Sequence, residues 1–119
     1  MNDTELQALA RAWMSTDPDP DTRAATAAIL DDPAAIRDHF GSRLEFGTAG
    51  MRGALGPGPN RMNRALVQRV TDGLASHIRA ALGTDRPVII GFDGRHGSRI
   101  FANDAARILA GHGLDVLLY

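Results

Sequence analysis

The sequence predicts an α/β protein: a three-layer α/β/α domain with a mixed, partly parallel sheet, preceded by a helical N-terminal segment. Three observations predict it. Residues 87–119 read as strand, loop, helix and strand, the spacing of a βαβ crossover, which parallel strands need and antiparallel ones do not. Residues 1–40 carry apolar side chains at helical intervals, broken by prolines. The stretch 41–63 between these regions is too rich in glycine and proline for a helix and reads as turns between short strands.

Taken in order, Leu6, Leu9, Ala10, Trp13 and Met14 fall on one face of a first helix, with Thr4 or Asp3 as its cap. Asp17-Pro18-Asp19-Pro20 stops it. A second helix is expected from residue 21 or 22 to 30. A third is expected over 33–40, with Pro33 in the first helical position after Asp32. Gly47, Gly50, Gly53, Gly56 and Gly58, with Pro57 and Pro59, then make turns. Asn63 opens a longer helix with Leu66, Val67, Val70, Leu74 and Ile78 on one face, closing near Gly83. Residues 87–92 form a short apolar run, the pattern of a buried strand. Ser98 reads as the N-cap of a helix burying Phe101, Ala105, Ile108 and Leu109, and residues 115–119 as the next strand. The expected organisation is a helical extension, 1–40, followed by the main α/β domain, 41–119. An apolar last strand with an unpaired edge reads as the first part of a larger α/β protein.

Composition narrows the function classes. At 119 residues with 44% hydrophobic and 23% charged residues, wholesale disorder is excluded. No apolar run reaches the roughly 20 residues of a membrane-spanning helix. The acidic start carries no secretory pattern, so a cytoplasmic protein is expected. Without cysteine there is no disulfide, thiol chemistry or cysteine-bound zinc. The net charge of −1 divides unevenly: residues 1–40 carry −5 and residues 41–119 carry +4. Between Gly41 and Arg69 five arginines face the single acid Glu45, a balance suited to an anionic partner. Every basic residue is arginine, so the choice of arginine at any one position carries little weight.

Two segments could hold chemistry. In Glu45-Phe-Gly-Thr-Ala-Gly-Met-Arg-Gly53, glycines let backbone N–H groups approach a ligand, while Thr48 adds a hydroxyl and Arg52 a charge, a combination suited to phosphate. A tight turn with a solvent-facing arginine explains the same residues. Gly91-Phe-Asp-Gly-Arg-His-Gly-Ser98 lies after a strand of the crossover, where α/β proteins place ligands. Its glycine spacing is not that of a dinucleotide loop, and Asp93 and Arg95 can instead pair and cap the next helix. Asp17-Pro-Asp-Pro-Asp21 has alternating carboxylates, but its prolines and missing glycine turn make it a linker and cap rather than a cation loop. His39, His77, His96 and His112 show no metal-ligand spacing, and no serine sits in a Gly-x-Ser-x-Gly elbow. Few aromatics accompany the arginines, which speaks against nucleic acid.

Residues 44–53, then Gly56-Pro-Gly-Pro-Asn-Arg-Met-Asn63, then Ile89-Ile-Gly-Phe-Asp-Gly-Arg-His-Gly-Ser-Arg99 resemble, in order and spacing, the N-terminal domain of the α-D-phosphohexomutases. The long phosphoglucomutase/phosphomannomutase group, which includes phosphopentomutase-like enzymes, is most similar. The resemblance implies a four-domain enzyme that moves phosphate between the 1- and 6-positions of a hexose through a phosphoserine, Mg²⁺ and a glucose 1,6-bisphosphate type intermediate. It implies that Arg52 contacts the bisphosphate or the phosphoserine, that Thr48, Gly50 and Gly53 shape its loop, and that Arg95 supports or contacts phosphate. The family's serine loop and metal loop have no counterpart among these residues, so the chain alone is expected to be inactive and to bind no metal. The alternative is a stand-alone nucleotide or dinucleotide module using the loop 91–98.

Overall fold

Local chemistry starts and stops the helices of the computed structural model, which describes residues 1–119. The first helix, α1 (Asp3–Thr16), is capped by Asn2, whose side-chain oxygen accepts from the Glu5 amide at 2.8 Å. The expected caps, Thr4 and Asp3, lie within the first turn, because Asn2 is the last residue with extended backbone. The helix gives way at Asp17, a buried carboxylate that accepts from the Asp19 amide at 3.0 Å and from the Thr22 hydroxyl. Next, α2 (Pro20–Ile29) starts a residue earlier than the sequence suggested. Asp19 caps it and Pro20 takes the first helical position, where a missing N–H costs nothing. The third helix, α3 (Pro33–Phe40), has the expected bounds, with the Asp32 side chain accepting from the Ala35 amide at 3.2 Å. Of the three carboxylates that resembled a cation loop, Asp17 and Asp19 therefore serve the turn and the cap, and Asp21 lies in the first turn of α2.

The chain divides into two compact units, Met1–Leu66 and Val67–Tyr119. In the first, α1 and α3 bury Leu6, Ala10, Trp13, Ile36 and Phe40 together with Ala65. The Trp13 and Phe40 rings meet edge to face with centroids 6.0 Å apart. The Gln7 side-chain amide donates to the Leu30 carbonyl at 2.9 Å, and Arg37 pairs with Asp3 at 2.9 Å. Two short strands, β1 (Phe46–Gly47) and β2 (Gly50–Met51), form an antiparallel hairpin with Phe46 opposite Met51 and Gly47 opposite Gly50. The long helix, α4 (Arg64–Leu82), opens after Asn63, whose side-chain oxygen accepts from the Leu66 amide at 2.9 Å. It closes before Gly83, in left-handed conformation, as expected.

In the second unit, β3 (Val88–Ile90) pairs in parallel with β4 (Val116–Leu118), and α5 (Ser98–Gly111) crosses between them, the βαβ arrangement that the spacing predicts. Its core is Ala75, Leu109 and Leu114, with Ile78, Val88, Ile90 and Val116 packed against it. Two expectations change here. Ser98 is the first helical residue rather than the cap; Gly97 is the cap, in left-handed conformation and without a side-chain bond. The 87–92 strand shortens to three residues and is covered on one face only: Val88 and Ile90 meet the core, while Ile89, pointing the other way, is 66% exposed. The strands form two separate two-stranded sheets, one antiparallel and one parallel, instead of a single mixed sheet. The fold is α/β with five helices. No helix is long and apolar enough to cross a membrane.

Candidate functional site

The hairpin β1–β2 carries the first candidate segment. Thr48 and Ala49 form its turn with negative φ, and Gly50 takes the left-handed conformation, φ +92°, that closes it. A residue with a Cβ would be strained there. Thr48 is exposed at the tip. Arg52 follows β2 directly, is exposed, and its guanidinium makes no hydrogen bond or ion pair. It is not turned inward onto an acid. Gly53 packs close to Leu44: a Cβ placed on it would lie 2.6 Å from a Leu44 methyl.

A two-residue ladder does not hold a hairpin by itself. Both legs of this one are tied to the segment 56–62. On the entering leg, the Leu44 amide donates to the Pro59 carbonyl at 3.0 Å. On the leaving leg, the Met62 amide donates to Ala54 at 2.8 Å, and the Gly56 amide donates to Met62 at 3.2 Å. The segment 56–62 is anchored in turn. The Asn60 amide donates to the His39 carbonyl at 3.1 Å, and His39 Nδ1, carrying the proton, donates to the Pro57 carbonyl at 2.9 Å. Arg61 pairs with Asp38 at the end of α3. Asn63, 2% exposed, donates its Nδ2 hydrogens to the carbonyls of Gly56 (2.9 Å) and Gly58 (2.8 Å). Of the five arginines between residues 43 and 69, Arg61 is thus part of the framework, and Arg52 stands at its edge with its charge exposed.

The second segment, residues 91–98, lies in the other compact unit. Asp93 accepts from the Ser98 hydroxyl at 2.8 Å and the Arg95 amide at 3.1 Å, and pairs with the Arg95 guanidinium at 3.1 Å. The Ser98 hydroxyl, then the Arg95 amide, then the Arg95 charge hold the Asp93 carboxyl below its ordinary range. Arg95, 87% exposed at its side chain, is therefore engaged within its own loop. A cavity of about 350 Å³ lies beside it, walled by Ile90, Phe92 and Phe101, with Asp93 and Ser98 at its polar side. A charged carboxylate in that wall repels a phosphate. His96 is exposed, and no three His, Cys, Asp or Glu side chains come together to hold a cation.

The sequence reading singled out Thr48, Gly50, Arg52 and Gly53, and the structure brings these four into one hairpin. Arg95 belongs to the other compact unit. Two residues escaped notice. His39 reads only as one of four unpaired histidines, and Asn63 only as a helix opener. The signal available for Asn63 was its position four residues after a Gly-Pro-Gly-Pro run, whose carbonyls need donors once buried.

Residues 43–119 match the family profile described as "Phosphoglucomutase/phosphomannomutase, alpha/beta/alpha domain I". The chain belongs to the phosphoglucomutase/phosphomannomutase family. It is 42% identical over 83 residues to a phosphoglucomutase of Staphylococcus aureus strain bovine RF122 / ET3-1, covering 69% of this chain and 15% of that protein. Phosphoglucomutases of Staphylococcus aureus strains USA300 and NCTC 8325 / PS 47 are 41% identical over the same lengths. The chain thus spans about 15% of the length of the curated relatives that it matches. No solved structure matches it. The α/β architecture is compatible with the family's domain I.

Proposed function

We propose that this chain is the N-terminal part of a phosphohexomutase, a helical extension over residues 1–40 followed by the beginning of the three-layer domain I. Its hairpin presents Arg52 to the phosphate of a sugar phosphate or of a phosphoserine. The observation that carries the reading is the Arg52 guanidinium, exposed and unpaired beside Gly50 and Gly53 on a hairpin whose two legs are fixed. A guanidinium offers two parallel N–H groups to phosphate oxygens, and Thr48 at the tip offers a hydroxyl. Arg95, paired with Asp93, supports its own loop.

Phosphoryl transfer needs a nucleophile in line with phosphorus and a cation to spread its charge. In the reaction proposed for the longer enzyme, a phosphoserine gives its phosphoryl group to a sugar phosphate and recovers a phosphoryl group from the resulting 1,6-bisphosphate. Mg²⁺ would supply charge neutralisation there, and no carboxylate or imidazole cluster of this chain fits it. What this chain contributes is binding and orientation of phosphate. The isolated 119-residue chain is therefore expected to convert no glucose 1-phosphate to glucose 6-phosphate, and detectable conversion by the pure chain overturns this. Titration with NAD, ATP and glucose 1,6-bisphosphate separates the reading from a nucleotide module. Tight nucleotide binding without a response to the bisphosphate contradicts the mutase assignment.

A further inference from the structure

We infer that Asn63 is the positioning residue of the Arg52 hairpin: its side-chain amide fixes the segment to which both legs of that hairpin are bonded. The inference rests on the phosphate-binding role proposed for Arg52 and concerns how that role is built.

The geometry leaves the amide few substitutes. Nδ2 has two hydrogens and directs them at two carbonyls two residues apart in the loop, Gly56 at 2.9 Å and Gly58 at 2.8 Å, with a longer contact to the Arg61 carbonyl at 3.3 Å. Oδ1 accepts from the Leu66 amide at 2.9 Å and so starts α4. One buried side chain thereby joins a loop with no regular structure to the rigid end of a helix. The same loop receives the entering leg at Pro59 and holds the leaving leg through Met62, whose amide donates to Ala54, two residues beyond Arg52. Arg61 and Asn60 fasten the loop to α3 from its exposed side. His39 holds it at the Pro57 carbonyl, and Asn63, the more deeply buried of the two, ties it to the start of α4. An aspartate would keep the helix cap and would set an acceptor against two acceptor carbonyls. A serine would keep the cap and reach neither carbonyl.

These differences separate capping from positioning. The test measures binding of glucose 1,6-bisphosphate and of inorganic phosphate to the 119-residue chain by NMR, for the wild type, Asn63→Asp, Arg52→Ala and the double variant. Asn63→Asp is expected to weaken bisphosphate binding about fivefold or more, as loss of fixed orientation at a charge-assisted contact does. In the Arg52→Ala background it is expected to have no further effect, because the two residues act as a unit. Equal affinity of Asn63→Asp and wild type, or an effect that persists undiminished without Arg52, shows that Asn63 is only a cap and overturns the inference while leaving the role of Arg52 intact. A wild type that binds neither probe defeats the role of Arg52 and this inference with it. Should Asn63→Asp not fold, Asn63→Ser gives the same comparison. Amide exchange in the wild type gives a further reading: slow exchange at Leu44, Gly56 and Met62 is expected, and exchange there at free-peptide rates overturns the inference without any variant.

Discussion

Replacing Gly58 with alanine perturbs the framework at its tightest point. Gly58 has φ +94°, and a Cβ built on it would lie 2.4 Å from the His39 carbonyl oxygen and 3.3 Å from the Phe40 ring. The obstruction is backbone, so it cannot rotate away. Holding alanine in the left-handed region costs about 1–2 kcal/mol. Moving the loop to ordinary contact distance costs about 1–3 kcal/mol more, as overpacking does. The displacement also strains the Asn60–His39 and Asn63–Gly58 bonds, so Gly58→Ala is expected to lose about 2–5 kcal/mol in all. That is a large share of the roughly 5–15 kcal/mol that holds a domain together. Urea unfolding followed by fluorescence of Trp13, the single tryptophan and a neighbour of Phe40 in the same core, reads it directly. The midpoint is expected to fall by about 1 M or more. Gly73→Ala is the control. Gly73 lies exposed within α4 with nothing near its missing Cβ, so this change is expected to stabilise by about 0.5–1 kcal/mol, read by circular dichroism. A Gly58→Ala midpoint equal to the wild type would refute the close-approach argument.

Other expectations concern the core, the second loop and the charge. Ile36→Ala removes a side chain that is almost fully buried between α1 and α3 and should cost about 2–5 kcal/mol in the same urea assay. Asp93 should titrate below the ordinary aspartate value of 3.8 by carboxyl-carbon NMR, and Ser98→Ala should move it back up, since the Ser98 hydroxyl is the largest cause of the lowering. A depressed folded-state value means that the contribution of Asp93 to stability is complete above the ordinary value and is lost as pH falls through the folded one. An Asp93 titration unchanged by Ser98→Ala contradicts the assignment. In a mutase carrying this segment, Arg52→Ala should lower kcat/KM by the equivalent of about 1–3 kcal/mol with little loss of stability; unchanged kinetics would make Arg52 a surface residue only.

Helices were legible in the sequence wherever a side chain both fills a face and marks an end. Asp32-Pro33 specifies the start of α3 because the carboxylate caps and the proline fits the first turn, and Asn63 and Gly83 bracket α4 in the same way. Caps failed where several candidates adjoin: Asn2, Asp3 and Thr4 can all cap, and only backbone conformation chooses. Ser98 misled for a related reason, because its hydroxyl is spent on Asp93. The apolar run 87–92 reads as buried on both faces, yet the alternation of side chains along a strand leaves Ile89 outside when only one face has neighbours. Of the candidate site, the hairpin residues were visible through their glycines. The bonds that fix the hairpin were not, since they join residues from His39 to Asn63 through backbone carbonyls that no sequence pattern displays.

The role of Arg52 is tested most directly by following its guanidinium Nε–Hε signal during titration of glucose 1,6-bisphosphate into the 119-residue chain. The expected result is a saturable shift of that signal, together with the amides of residues 48–53, that disappears in Arg52→Ala. A signal that stays in place, or amide shifts that survive the substitution, would contradict it.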